Sequence, residues 1–190
     1  MMGSALIVSC TGKSTALFTE MLNEVSVNQI TVLKSAGEAR RILLEQDFDL
    51  VIVNSPLFDE SGESLSQYIV SKSWSQVILA VKSEIFNAVS AVCEEDGILT
   101  ISKPVNKEVF WSALSLAKSV RNRVKRIQAE NAQLKQKIED IRIIDRAKLL
   151  LISYLNLSEQ EAHRFIEKQA MDLRSSKRAI AEGILKTYGN

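Results

Sequence analysis

Two hydrophobic periods divide the chain. Up to about residue 118, short runs rich in Val, Ile and Leu alternate with segments whose apolar residues recur every three or four positions. The runs 5–9, 29–33, 50–54, 77–81 and 98–101 predict strands. The segments near 15–24, 37–45, 64–72, 85–94 and 107–118 predict helices. Regular alternation of the two predicts an α/β domain with a parallel, doubly wound sheet. Such sheets carry their chemistry at the strand carboxyl ends, here Ser9-Cys10, Asn54 and Lys103-Pro104.

From 119 to 145 the pattern changes to one charged helix without glycine or proline. Val120, Val124, Ile127, Leu134, Ile138 and Ile141 fall alternately three and four apart, with Asn131 at an a position of the same seam. A buried a-position Asn weakens a coiled coil but favours a parallel pair, because two amides satisfy each other across it. Glu130 at g faces Lys135 at e of a partner, whereas Lys137 facing Arg142 repels. The pattern fits a homodimeric coil, and it also fits one amphipathic helix packed on its own domain.

Beyond 146, Ala147, Leu150, Leu151 and Tyr154 continue one apolar face until Asn156 breaks it. The run from Ser158 to Glu161 is a capping box that starts a second helix, with Ala162, Phe165, Ile166, Gln169 and Ala170 expected inward. A third helix begins near Ser175-Ser176 and turns Ile180, Ala181, Ile184, Leu185 and Tyr188 inward. Three short helices make a domain small enough to gain from docking onto a dimeric coil. The expected division is therefore 1–118, 119–145 and 146–190.

Charge sharpens this division. The 190 residues carry a net +1, yet residues 1–118 sum to −5 and 119–190 to +6. A polyanionic partner thus belongs to the basic back half. On the second helix Arg164, Lys168 and Met171 share a stripe facing away from the apolar side, and Arg174, Lys177 and Arg178 extend it. Such a stripe is also compatible with an ordinary solvated face. No apolar run approaches the roughly 18 residues of a membrane span, and no secretory leader is visible, so a cytoplasmic location is expected. Cys10 and Cys93 read as reduced thiols, and Trp74 and Trp111 as packing residues. Gly12-Lys13-Ser14 ends like a phosphate-binding loop but lacks the earlier glycine, since Ile7 stands there. His163, the only histidine, has no neighbours that complete a catalytic set. Neither an enzyme nor a bound metal or cofactor is expected.

Over residues 4–118 the frame resembles the receiver domain of two-component response regulators. Lys103-Pro104 matches, and Gly62 lies eight residues after Asn54, the offset expected between acceptor and loop glycine. The resemblance implies a five-stranded parallel sheet of order 2-1-3-4-5. In that family an acid pair after the first strand binds Mg²⁺, and an Asp ending the third strand accepts phosphate. Here Ser9 and Cys10 stand for the acid pair, Asn54 for the acceptor, and Lys82 for the Ser/Thr switch residue. An amide is a poor phosphoryl acceptor and none of these side chains supplies the anionic oxygen that Mg²⁺ prefers. The front half therefore reads as a pseudo-receiver, a fold kept without its chemistry. Asp59 lies in the following loop rather than at the acceptor position.

Residues 147–185 resemble an ANTAR domain, an RNA-binding output module of antitermination regulators. Ala147-Lys148, Leu157-Ser158-Glu159, Glu161-Ala162, the run Gln169-Ala170-Met171-Asp172, Arg174, Ala181 and Ile184-Leu185 carry the match, and Leu149 departs from it. The resemblance implies a dimer that holds paired hairpins in nascent leader RNA and so prevents a terminator from forming. The RNA-facing set is then Lys148, Arg164, Lys168, Gln169, Met171, Arg174, Lys177 and Arg178. A regulatory protein on the receiver-like half is a further expected partner. A DNA-binding regulator and a protein-interaction adaptor are the competing readings.

Overall fold

The computed structural model describes residues 3–25 and 27–188. By compactness the chain forms two units, Met1–Arg126 and Ile127–Asn190. The first holds strands β1 (Ser4–Ser9), β2 (Gln29–Leu33), β3 (Leu50–Asn54), β4 (Gln76–Lys82) and β5 (Leu99–Lys103). Between them run α1 (Gly12–Asn23), α2 (Ala36–Glu45), α3 (Glu63–Lys72) and α4 (Phe86–Glu95), the last preceded by a 3₁₀ turn at Ser83–Ile85. Every strand pair is parallel and the order is β2-β1-β3-β4-β5, as the sequence implied. The register aligns Ser9 with Asn54, Asn54 with Ala80, and Lys82 with Lys103, so these residues share the carboxyl edge.

Strand alternation feeds two apolar layers, one on each face of the sheet. Leu6, Val8, Val51, Val53, Leu79 and Val81 join Ala39, Leu65 and Ile69 on one face. Ile7, Leu50, Ile52 and Ile78 join Phe18, Leu22, Phe110 and Leu114 on the other. Phe18 and Phe110 are fully buried with ring centroids 5.7 Å apart. Each such side chain contributes roughly 1.5–3 kcal/mol by leaving water. Trp111 packs at the edge of this layer, but Trp74 is 71% exposed in the loop before β4, so only one tryptophan is a packing residue.

Gly62 precedes α3 at φ +95°, in the left-handed region. A Cβ there would lie 2.9 Å from Val53 Cγ1 and 3.4 Å from Ser55 Cβ. Gly62→Ala should therefore destabilise the first unit by roughly 2–4 kcal/mol, combining the left-handed penalty with overpacking. Both tryptophans lie in this unit, so urea denaturation followed by their fluorescence reads it directly. An unchanged midpoint would refute the steric argument.

The helix α5 (Lys107–Leu155) runs for 49 residues without interruption. No glycine or proline breaks it, so the predicted helices 107–118 and 119–145 and the first helix of the back half form one element. It ends where Asn156 takes φ +52°, a conformation asparagine tolerates better than most residues. The second unit packs the last part of α5 against α6 (Glu159–Asp172) and α7 (Lys177–Tyr188). Its centre is Ala147, Leu151, Ala162, Ile166, Ala181 and Ile184. Three of these core positions are fully buried alanines. Two sequence expectations, Phe165 inward and Tyr154 continuing the apolar face, differ from this arrangement. Phe165 flanks the buried row of Ala162, Ile166 and Ala170 and stays 38% exposed. Tyr154 lies beyond the shared apolar centre, is exposed, and pairs with Tyr188 at 5.6 Å.

Candidate functional site

Helix α6 begins as the sequence predicts. The Ser158 hydroxyl accepts from the Glu161 N–H at 3.3 Å, while the Ser158 N–H donates to Glu161 Oε2 at 2.8 Å. Two otherwise orphaned donors are satisfied, and the Ser158 hydroxyl, donating to Glu161 Oε2 at 2.7 Å, acts with the Ser158 N–H to hold the Glu161 carboxyl below its usual range. Helix α6 ends in a Schellman arrangement. The Ser175 N–H donates to the Ala170 carbonyl at 2.9 Å and the Arg174 N–H to the Met171 carbonyl at 3.2 Å. The residue this motif holds left-handed is usually glycine, and here it is Arg174 at φ +47°. Ser176 then caps α7, accepting from the Ala179 N–H at 3.1 Å.

Between these caps Arg164, Lys168 and Met171 are exposed on α6. Gln169 is half-buried at the edge of the stripe, and Arg174 projects from the exposed turn that follows. The other three candidate cations have carboxylate partners in the same unit. Lys148 has a side chain only 16% exposed, with Nζ 2.8 Å from Asp145 and 3.4 Å from Glu159. Arg178 reaches Asp140 at 2.7 Å and Glu182 at 2.8 Å, and Lys177 reaches Glu167. These pairs tie α5, α6 and α7 together and raise the Lys148 and Arg178 pKa values through their hydrogen bonds to Asp145 and Asp140. The eight candidates thus separate into cations held by carboxylates and an open set centred on α6.

The seam residues lie along α5. Val120, Ile127, Leu134, Ile138 and Ile141 are between 39% and 59% exposed, Val124 is half-buried, and Asn131 is exposed.

At the carboxyl edge of the sheet, Asn54 is 3% exposed and its Nδ2 donates to Ser9 Oγ at 3.0 Å and Thr11 Oγ1 at 3.4 Å. The Cys10 thiol donates to the Pro56 carbonyl at 3.2 Å, and the Lys103 ammonium donates to the Ser55 carbonyl. Burial lowers the Lys103 pKa, Cys10 opposes that shift, and repulsion from Lys82 adds to it. The oxygens nearest Asn54 are neutral, so the donor set does not fit the Mg²⁺ that a receiver fold implies. Asp59 is occupied elsewhere. Its two oxygens accept from the Ala36 N–H at 2.8 Å and the Gly37 N–H at 2.9 Å, capping α2. The sequence offered no signal for this cap, because Asp59 lies 23 residues from Ala36.

The Ala36 and Gly37 bonds lower the Asp59 pKa from its ordinary 3.8. A depressed folded-state pKa gives stability that is present above the ordinary value and lost as pH falls through the lowered one. Asp59→Asn should therefore unfold at lower urea than wild type at neutral pH, with the difference shrinking below pH 3.8. A difference independent of pH would show that the charge contributes nothing.

A family model for the ANTAR domain matches residues 132–185, which takes in the end of the seam as well as α6 and most of α7. The first unit is similar to solved receiver domains. One is the signal receiver domain of an HD domain-containing protein from Pseudomonas fluorescens, at TM-score 0.58 and 20% identity, covering 66% of this chain and 93% of that one. A response regulator receiver domain from Clostridium thermocellum gives TM-score 0.57 and 19% identity, covering 66% and 99%. At these identities the likeness speaks for the fold. A receiver-like fold followed by a match to the ANTAR domain thus defines the class of architecture that this chain shares. Among curated proteins it is similar to the transcriptional regulatory protein PdtaR of Mycobacterium tuberculosis, 25% identical over 170 residues, or 90% of this chain and 83% of that protein.

Proposed function

We propose that this regulator binds RNA as a homodimer, holding two hairpins of a nascent leader so that an overlapping terminator cannot form. The observation that carries the reading is the open stripe of Arg164, Lys168 and Met171 on α6, continued by Arg174, within the ANTAR match. Two cations and a polarizable thioether suit a splayed loop, where phosphates and unstacked bases are both accessible. The partly exposed apolar seam from Val120 to Ile141 supports pairing through a parallel coil. Two ANTAR modules on one coil would make the second hairpin contact intramolecular. In functional terms the chain then comprises residues 1–118, 119–145 and 146–190: an input domain, a dimerising helix and an RNA-binding output. Crosslinking the protein to RNA in cells and sequencing the captured fragments tests this. Enrichment of adjacent hairpins ahead of terminators supports the reading, and recovery of duplex DNA or of no nucleic acid overturns it.

The first unit acts without an acyl-phosphate in this proposal. Asn54 offers no carboxylate nucleophile, and Asp59 is engaged by the α2 N-terminus. Incubation with a small phosphodonor and Mg²⁺ should leave the intact mass unchanged. A stoichiometric phosphoryl adduct in this pocket would refute that part.

A further inference from the structure

The apolar stripe on α5 does not end with the predicted coil at residue 145. Ile138 is 52% exposed, and Leu149 beyond the coil is 62% exposed. Leu149 lies eleven residues after Ile138, about three helical turns, so the two side chains point the same way. Ala147 lies nine residues after Ile138, about two and a half turns, and is fully buried at the centre of the second unit. Helices α6 and α7 therefore pack on one side of α5, and the stripe runs along the other. Ile152, half-buried at the edge of that packing, is the next apolar residue of the stripe. Leu149 is also where the chain departs from the ANTAR pattern, so that match does not account for it.

The spacing is that of a coil passing through a stutter. From Leu134 the stripe steps 4, 3, 4, 4 and 3 residues through Ile138, Ile141, Asp145, Leu149 and Ile152. The additional four-residue step unwinds a two-stranded coil locally and carries its seam onward. Helix α5 continues without interruption to Leu155, and nothing in it turns the chain away from a partner. Two helices in contact at Ile141 and crossing at about 20° are still neighbours two or three turns later. A parallel pair sets each residue of the stripe against its own copy, so Leu149 meets Leu149 and Ile152 meets Ile152. The polar member, Asp145, has its own Lys148 at 2.8 Å, so the layer it forms brings together charges that are already compensated.

We infer that the dimer interface runs on through the output module to Ile152, with a second copy of this chain seated along the back of each module. The inference rests on the homodimer reading above and extends it, since Leu149 and Ile152 then serve the output module and the interface together. It also sets where the two RNA stripes lie. Ala162 and Ile166 hold each α6 on the side of α5 away from the partner. The two α6 helices thus flank the paired α5 helices, roughly 20–30 Å apart, up to three interaxial spacings. Two hairpins are held at a set separation instead of on modules that swing about the end of a coil.

Disulfide trapping on the full chain tests it, with the exposed Cys10 replaced by serine, the buried Cys93 kept and one new cysteine introduced at a time. Facing seam positions of a parallel pair lie within disulfide reach of their copies. Under mild oxidation Ile138→Cys and Leu149→Cys should both form covalent dimer about tenfold faster or more than Lys186→Cys, an exposed control on α7, because paired cysteines meet at high effective concentration. Leu149→Asp should raise the dimer dissociation constant about a hundredfold or more, since two apolar side chains lose their burial per dimer. It should leave the binding of one isolated hairpin unchanged. The inference is overturned if Ile138→Cys crosslinks while Leu149→Cys does no better than Lys186→Cys, or if Leu149→Asp dimerises like wild type. The homodimer reading survives both of those results, and it falls together with the inference if Ile138→Cys also fails to crosslink. Loss of single-hairpin binding by a Leu149→Asp protein that still dimerises would assign this face to RNA and overturn the inference as well.

Discussion

Replacing Leu134 and Ile138 together with aspartate should convert the protein from dimer to monomer. Both residues are more than half exposed in the single chain, so neither contributes to the core of the second unit. In a parallel pair the same two positions meet their copies. Each apolar side chain that loses its burial forfeits roughly 1.5–3 kcal/mol, and four are lost per dimer. Burying four carboxylates in their place adds a desolvation cost that no seam cation offsets. Sedimentation equilibrium at tens of micromolar should show dimeric wild type and monomeric variant, with unchanged far-ultraviolet circular dichroism from α6 and α7. Affinity for a two-hairpin RNA should fall by roughly 10²–10⁴ while affinity for one isolated hairpin stays the same, because avidity alone is lost. A monomeric wild type, or a variant that remains dimeric, would place the seam's role elsewhere.

Alanine at Arg164, Lys168 and Arg174 should weaken hairpin binding more than alanine at Lys148, Lys177 or Arg178. The second group must release Asp145, Glu159, Glu167, Asp140 or Glu182 before it contacts phosphate, so each new contact is offset by a lost one. The first group meets RNA without breaking an ion pair within the described residues. Each phosphate contact removed should flatten the log–log salt dependence by about 0.7–0.9. A contact that reads a loop base should instead cost roughly 1–3 kcal/mol and relax preference at that base. Arg174→Gly separates binding from folding with particular clarity. At φ +47° glycine is at least as comfortable as arginine, so the variant should be as stable as wild type and still bind RNA more weakly. If the three alanine variants keep wild-type affinity and salt slope for a hairpin, α6 is not the RNA surface.

The sequence alone determined whatever depends on neighbours along the chain. Alternating Val-rich runs and amphipathic segments set five parallel strands, because the side-chain period and the right-handed crossover leave few other arrangements. The reciprocal bonds of Ser158 and Glu161 span three residues, and Asn156 ends α5 by its own conformational preference. The uninterrupted helix from Lys107 to Leu155 was partly legible, since nothing in it breaks a helix, although its apolar period changes along the way. Tertiary structure decided the rest. Asp59 became a cap for α2 only because the loop after β3 meets a helix 22 and 23 residues earlier in the chain. Arg178 pairs with Asp140 across 38 residues, and that distance in sequence hides the partner that distinguishes it from Arg174. Phe165 remained at the rim, 38% exposed, because α6 buries the row of Ala162, Ile166 and Ala170, and no period within α6 alone selects that row. The unpartnered Oδ1 of Asn54 likewise exists only once β1 and β3 align Ser9 beside it, for burial removes the water that would otherwise satisfy the amide.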